Sequence, residues 1–333
     1  MSGTDIRSVT VVVFLSAWII KHCAMNRDQA FEKMKKVCGN CTEGSINVYV
    51  RNLFRLAKLA GKDKIPKTVR WLSSKKLMTK YEKEPLNIRR MLSIAAVKAM
   101  KMYGKESSGG WGEYLAKSTE EYEKQRDARQ KTKREKERWP DKGYDSLKDV
   151  AKKLKKGVSD LLGKKELTSA ELYRLQKYVI IALYSEHALR LDWADVRLEK
   201  PTKTQEKNFL HKYPRKGWLL TMRKFKTSKS MGEVEIKMSR PTSLVLSMFV
   251  PKVKANTTHG FLLTNSSGGK LTRSGLSKIL IRLTKKHLGA AIGSQIIRVL
   301  KSTKFRKQAE TNQKLAQELM HSSKQQLQYS KKD

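Results

Sequence analysis

Apolar positions recur at helical spacing through much of the chain. In residues 45–61, SINVYVRNLFRLAKLAG, a period of 3.6 brings Ile46, Val50, Leu53, Phe54, Ala57 and Ala60 to one side and leaves Arg51, Arg55 and Lys58 opposite. Residues 87–103 repeat the arrangement, with Ile88, Met91, Leu92, Ala95, Ala99 and Met102 inward and Arg90 and Lys101 across the helix. Both stripes predict core-facing helices with basic outer faces, and residues 27–104 read as one helical domain.

The pattern lapses after Gly104. KESSGG is turn-like, and fourteen of the nineteen residues from Glu120 to Arg138 are charged with no aliphatic stripe. Residues 105–143 therefore predict a charged linker, helical or disordered, outside any core. Periodicity returns after Tyr144 in LKDVAKKLKKGVSDLL and SAELYRLQKYVIIALYSEHAL, then breaks at LRLDWADV. Next comes a roughly alternating stretch, residues 217–239, in which Ser228–Gly232 supplies the turn of a β-hairpin. Helices resume from Leu271 to Tyr329. The expectation is a mainly α protein with a small antiparallel β-sheet, its second domain spanning residues 144–333. Two domains also suit 333 residues, because single cores rarely grow past about 250.

Residues 1–26 form an apolar leader of unclear role. Its run VTVVVFLSAWII, residues 9–20, is shorter than the roughly 20 residues a bilayer span needs, and no A-x-A-like cleavage site follows it. The reading is a protein that is neither membrane-bound nor secreted.

Charge narrows the partners. Lysine and arginine number 72 against 31 acidic residues, a formal charge of +41. A compact body so charged repels itself unless a polyanion neutralises it. The cations are spread through every segment rather than confined to one amphipathic helix, which favours nucleic acid over a membrane surface. Three cysteines cannot form a disulfide framework for this length. Cys38 and Cys41 make a lone CxxC that, with His22 and Cys23, has the donors for zinc, but no second CxxC accompanies it. No metal or cofactor is expected.

Candidate chemistry lies in the order of five residues in the second half: Arg190 after an apolar helix, Lys226 near the hairpin turn, Arg298 in a helical stretch, His321 in LMHSS and Tyr329 eight residues later. In this order and context the set resembles the tyrosine recombinase family. ALRLDWADV resembles its first arginine motif, FLLTNSSGGKLTRSGLSKIL the stretch before the second, and LAQELMHSSKQQLQY the histidine-to-tyrosine segment. The R-x-D-W-x-D form and short spacing from His321 to Tyr329 look closest to recombinases of eukaryotic mobile elements, DNA viruses and virophages.

The resemblance implies a core-binding-like DNA-binding domain over residues 27–104 and a catalytic domain over 144–333, closed on double-stranded DNA as a homo-oligomer, a tetramer during strand exchange. Tyr329 would attack the backbone phosphate to give a 3′-phosphotyrosine, which retains the bond energy for rejoining. Arg190 and Arg298 would offer forked donors to the nonbridging oxygens. Lys226, with Lys229 nearby, would protonate the leaving 5′ oxygen, and His321 would bind the phosphate or assist proton transfer. Neither ATP nor metal is needed. Gln295 stands where the family's H-x-x-R box begins, so the sequence reads QIIR there; glutamine donates a hydrogen bond but is no acid or base. With four residues after Tyr329, the sequence reads as lacking the tail helix that many relatives exchange between subunits. The site of action would be wherever the target DNA lies: nucleus, viral factory or nucleoid. A type IB topoisomerase and a noncatalytic DNA-binding descendant are the alternatives.

Overall fold

The computed structural model describes residues 24–105, 110–128, 130–202, 204–215, 217–306, 308 and 311. These fall into two compact units, one ending at Gln130 and the other starting at Lys131. The fold is mainly helical with a two-stranded antiparallel sheet and a small, mostly antiparallel four-stranded sheet. Among the described residues no helix is long and apolar enough to cross a membrane. The apolar run at residues 9–20 lies outside the described residues.

The first unit opens with a two-residue strand, Ala24–Met25 (β1), and helix Arg27–Val37 (α1), which Asn26 and Gln29 start as a reciprocal capping box. Thr42 caps the next helix, Glu43–Leu59 (α2), whose buried residues Ile46, Val50, Leu53, Leu56 and Ala57 follow the apolar stripe. A second short strand, Ile65–Pro66 (β2), pairs antiparallel with β1. Helices Lys75–Glu82 (α3) and Leu86–Met102 (α4) follow. On α4 the buried positions include Ala95, Ala96 and Ala99, small residues that let α2 approach closely.

Residues 110–127, expected within a charged linker outside any core, form a helix (α5) that packs on α4. Its inward stripe is Trp111, Tyr114 and Ser118, with Trp111 and Ser118 buried. Trp111 meets Tyr81 edge-on at 5.1 Å between centroids, Tyr114 meets Tyr81 at 5.5 Å, and the Trp111 indole donates to the Leu72 carbonyl at 3.2 Å. Such aromatic pairs add about 0.5–1.5 kcal/mol each beyond the area they bury. Three residues at i, i+3 and i+7 suffice to dock the helix, and its charges occupy the outer face.

The second unit gathers its core around helix Ser169–Glu186 (α7), buried along most of its length and started by the Thr168–Glu171 capping box. Helix Ser146–Lys156 (α6) packs on α7. A four-stranded sheet comes next in the order Val196–Arg197 (β3), Asn208–Tyr213 (β4), Gly217–Met222 (β5) and Val234–Lys237 (β6). The expected hairpin is β5–β6, with Met222 opposite Val234 and Leu219 opposite Lys237. Its turn is a single helical turn, Ser228–Met231, closed by Gly232 at φ 70°, a conformation that favours glycine. Strand β4, antiparallel to β5, and the parallel β3–β4 pair extend the sheet beyond that hairpin. Helices Arg240–Asn256 (α8), Arg273–Leu288 (α9) and Ser294–Lys304 (α10) complete the described part. Gly289, in the left-handed region, ends α9, and Thr284 holds the following turn by accepting from Ile292 N at 2.9 Å and donating to Ile292 O at 3.1 Å.

Candidate active site

The last carbonyls of a helix have no partner within it. At the end of α7 side chains supply donors: the Tyr144 hydroxyl reaches Tyr184 O at 2.8 Å and Lys301 Nζ reaches Glu186 O at 2.6 Å. In the loop that follows, the Trp193 indole donates to His187 O at 3.3 Å and the Tyr184 hydroxyl to Arg190 O at 2.5 Å. Tyr184 and Trp193 are fully buried, so Arg190 projects from a backbone tied at four carbonyls to the core. Burial raises both tyrosine hydroxyls well above their ordinary value, so they stay protonated and donate.

Asp192 and Asp195 of the R-x-D-W-x-D motif have a structural task. Asp192 is buried and accepts from Arg273 Nη2 at 2.8 Å. Asp195 accepts from Arg273 Nε at 2.6 Å and from Lys270 Nζ at 2.8 Å. Burial alone would raise the Asp195 carboxyl, but the Lys270 and Arg273 hydrogen bonds outweigh it and hold the group below its usual value. The motif that carries Arg190 is thereby clasped to the first turn of α9. Sequence reading passed over Arg273, one cation among 72; its signal was the pair of acids two and five residues after Arg190.

Helix α10 carries Arg298 and is anchored at both ends. Arg138 Nη1 donates to Ala291 O just before it at 3.1 Å, and Lys304 Nζ contacts both Asp145 oxygens at 2.6 and 2.7 Å. Arg298 is half-buried, and burial first, then the charge of Arg190, hold its guanidinium below the ordinary value against the opposing charge of Asp192. The charge of Arg190 thus bears on Arg298. Among the described residues neither forms an ion pair. Two half-buried like charges on anchored elements, neither in an ion pair among the described residues, can draw an anion. Beside Arg298 is an open cavity of about 290 Å³ lined also by Ala188, Lys301, Ser302 and Phe305.

The other sequence candidates are placed differently. Gln295 is exposed in the first turn of α10, three residues before Arg298. Lys226 is exposed in the β5–β6 connection. Its neighbour Arg223 is engaged within the fold: its guanidinium bonds Glu233, the Thr202 carbonyl and the Gln205 carbonyl, and stacks over Phe209. His321 and Tyr329 lie outside the described residues, as do His22 and Cys23. Cys38 is buried and Cys41 half-buried, both as free thiols. Among the described residues no group of three or more His, Cys, Asp or Glu could hold a metal.

No family model matches the chain, and no curated protein matches it. Among solved structures, that titled "Crystal structure of XerA recombinase" is similar at 11% identity and a TM-score of 0.35, covering 92% of this chain and 95% of that one. A likeness this weak does not place the chain in a family.

Proposed function

We propose that the chain is a tyrosine recombinase that cleaves and rejoins double-stranded DNA by transesterification, integrating or excising an element related to those of eukaryotic mobile elements and DNA viruses. The observation that carries this reading is the pairing of Arg190 with Arg298. They come from two separate sequence motifs, the charge of Arg190 bears on Arg298, and neither forms an ion pair among the described residues. A scissile phosphodiester supplies the missing negative charge, and its nonbridging oxygens fit two forked guanidinium donors. Such donors stabilise charge that grows in the transition state.

In this reading Tyr329 is the nucleophile and His321 assists at the phosphate. The first unit supplies further contacts to the duplex backbone through its basic faces, and four subunits act together on two duplexes. Tyr329→Phe deletes only the attacking oxygen, so the expected result is loss of covalent protein–DNA adduct on nicked suicide duplexes with duplex binding retained. Wild-type protein that forms no adduct, or an adduct that persists in Tyr329→Phe, refutes the assignment.

A further inference from the structure

We propose that Cys38 and Cys41 form a thiol–disulfide exchange site, which takes a low-molecular-weight disulfide of the glutathione class and closes into a reversible bond between the two residues. The site belongs to the first unit and stands apart from the DNA reaction proposed above, so neither reading depends on the other.

The geometry is a turn held at both ends. Cys38 ends α1, its N–H bonded to the carbonyls of Met34 and Lys35 at 3.0 and 3.2 Å. Cys41 stands just before Thr42, whose side chain caps α2 by accepting from Ser45 N at 3.3 Å. Between them the Cys41 N–H donates to Cys38 O at 2.7 Å and closes the turn Cys38–Gly39–Asn40–Cys41. A four-residue turn brings its first and last α-carbons within about 7 Å. A disulfide spans about 4.4–6.8 Å between α-carbons, so the turn offers the reach the bond needs. Met34 on α1 and Ile46 on α2 are buried in the same core, which holds both helices and the turn between them.

The two thiols differ in access, and that sets the order of events. Cys38 keeps 4% of its surface in solvent, whereas Cys41 is half-buried and packs against the core from its edge. Exchange therefore starts at Cys41. Burial first, and then the Cys41 side chain, push the Cys38 thiol above its ordinary value, while the charge of Lys98 on α4 opposes them. Cys38 is thus a reserve that stays inert toward outside reagents, and the Lys98 ammonium favours its thiolate when it attacks the neighbouring sulfur.

In the first step the Cys41 thiolate bonds to one sulfur of the small disulfide, whose S–S bond breaks. The released thiolate takes up the proton that Cys41 gave up. In the second step the Cys38 thiolate bonds to the Cys41 sulfur of the mixed disulfide, and the second small thiol leaves with the Cys38 proton. Two protein thiols are oxidised to one disulfide, and one small disulfide is reduced to two thiols. Excess small thiol reverses both steps.

The test incubates the reduced full chain with oxidised glutathione, stops exchange with acid, and maps the tryptic peptide of residues 37–51, which holds both cysteines. The expected result is that this peptide loses two hydrogens, retains no glutathione, and returns to the dithiol when reduced glutathione is added. Rates are compared in chains that also carry Cys23→Ser, so that this pair alone reacts. Cys41 in Cys38→Ala should take up glutathione about tenfold faster than Cys38 in Cys41→Ala. In urea the two rates should converge, because exposure sets the difference. A bond from either residue to Cys23, glutathione retained on the native chain, equal rates in the folded variants, or thiols that react only after zinc is chelated overturns the assignment. Where Cys38→Ala does not fold, the native chain decides: the mixed disulfide trapped early must sit on Cys41, and one trapped on Cys38 overturns the proposal.

Discussion

Replacing Arg273 with methionine isolates the clasp behind Arg190. The change keeps much of the side chain's apolar length but withdraws both contacts, 2.8 Å to Asp192 and 2.6 Å to Asp195. Asp192 keeps only 4% of its side-chain surface in water, so its carboxylate is left buried without its partner, whereas Asp195 is 32% exposed and retains Lys270. Removing one member of a fully buried pair costs about 3–5 kcal/mol. An exposed pair is worth about 0.2–1 kcal/mol. Arg273 is 48% exposed, so the clasp falls between these limits, and we expect a loss of about 2 kcal/mol in the second unit. For a unit of this size that lowers the melting temperature by about 4–8 °C. Asp192→Asn removes the stranded charge, so the double variant with Arg273→Met should regain at least half of the loss. The assay is thermal and urea unfolding of the full chain in a double-mutant cycle. Single losses that simply add, or an Arg273→Met loss under about 0.5 kcal/mol, would show that the contacts are ordinary surface pairs and that the motif's acids do not brace Arg190.

Arg190→Lys and Arg298→Lys keep the charge but lose the planar fork, so at saturating DNA adduct formation should drop about 100-fold to 1000-fold with modest change in affinity. Arg282→Lys, exposed on α9, serves as the control, and the reasoning fails if the site variants behave like it. Acid should weaken the second unit through His187 and His259, whose Nε2 atoms are buried without a hydrogen-bond partner among the described residues. Burial first, and then Lys301 and Lys270 respectively, push these imidazoles below the ordinary value near 6.5. A histidine lowered on folding binds fewer protons than in the unfolded chain, so its contribution is complete above pH 6.5 and is lost as pH falls through the lower folded value. The urea midpoint should therefore decline from pH 7 to pH 5, and a flat profile refutes the mechanism.

Strong periodicity made helices α2 and α4 legible: their buried residues largely repeat the stripes read from spacing alone. The packing of helix α5 escaped because three inward residues are diluted by a segment whose charges face water. Strand β4 escaped for a different reason. It buries Asn208, Phe209 and Leu210 in succession rather than in alternation, and asparagine in a sequence signals a turn. In the structure Asn208 instead brackets the end of β5, accepting from Arg223 N and Lys224 N and donating to Lys224 O at 2.9–3.1 Å. The meaning of such a residue depends on backbone groups 15 and 16 residues further along, and local pattern does not carry that.

The candidate site was legible in part for a reason tied to charge. In a chain with 72 cations and 31 acids, an unpaired arginine is the ordinary case, and neither Arg190 nor Arg298 is informative by being unpaired. What distinguishes them is cost. Most cations of this chain avoid one another by standing in water, where repulsion is screened within about 10 Å. Arg190 and Arg298 are half-buried and lie near enough for one to depress the other, while acids just beyond Arg190 are spent on Arg273 and Lys270. Folding has put carboxylates in Arg190's own motif and bonded them to Arg273 and Lys270, although the charge of Asp192 still bears on Arg298. The repulsion that remains is sustained by four carbonyl anchors around one arginine and a helix pinned at both ends beneath the other. Motif order could nominate the two arginines; the disposition of the acids is what the fold adds in support of the anion site proposed between them.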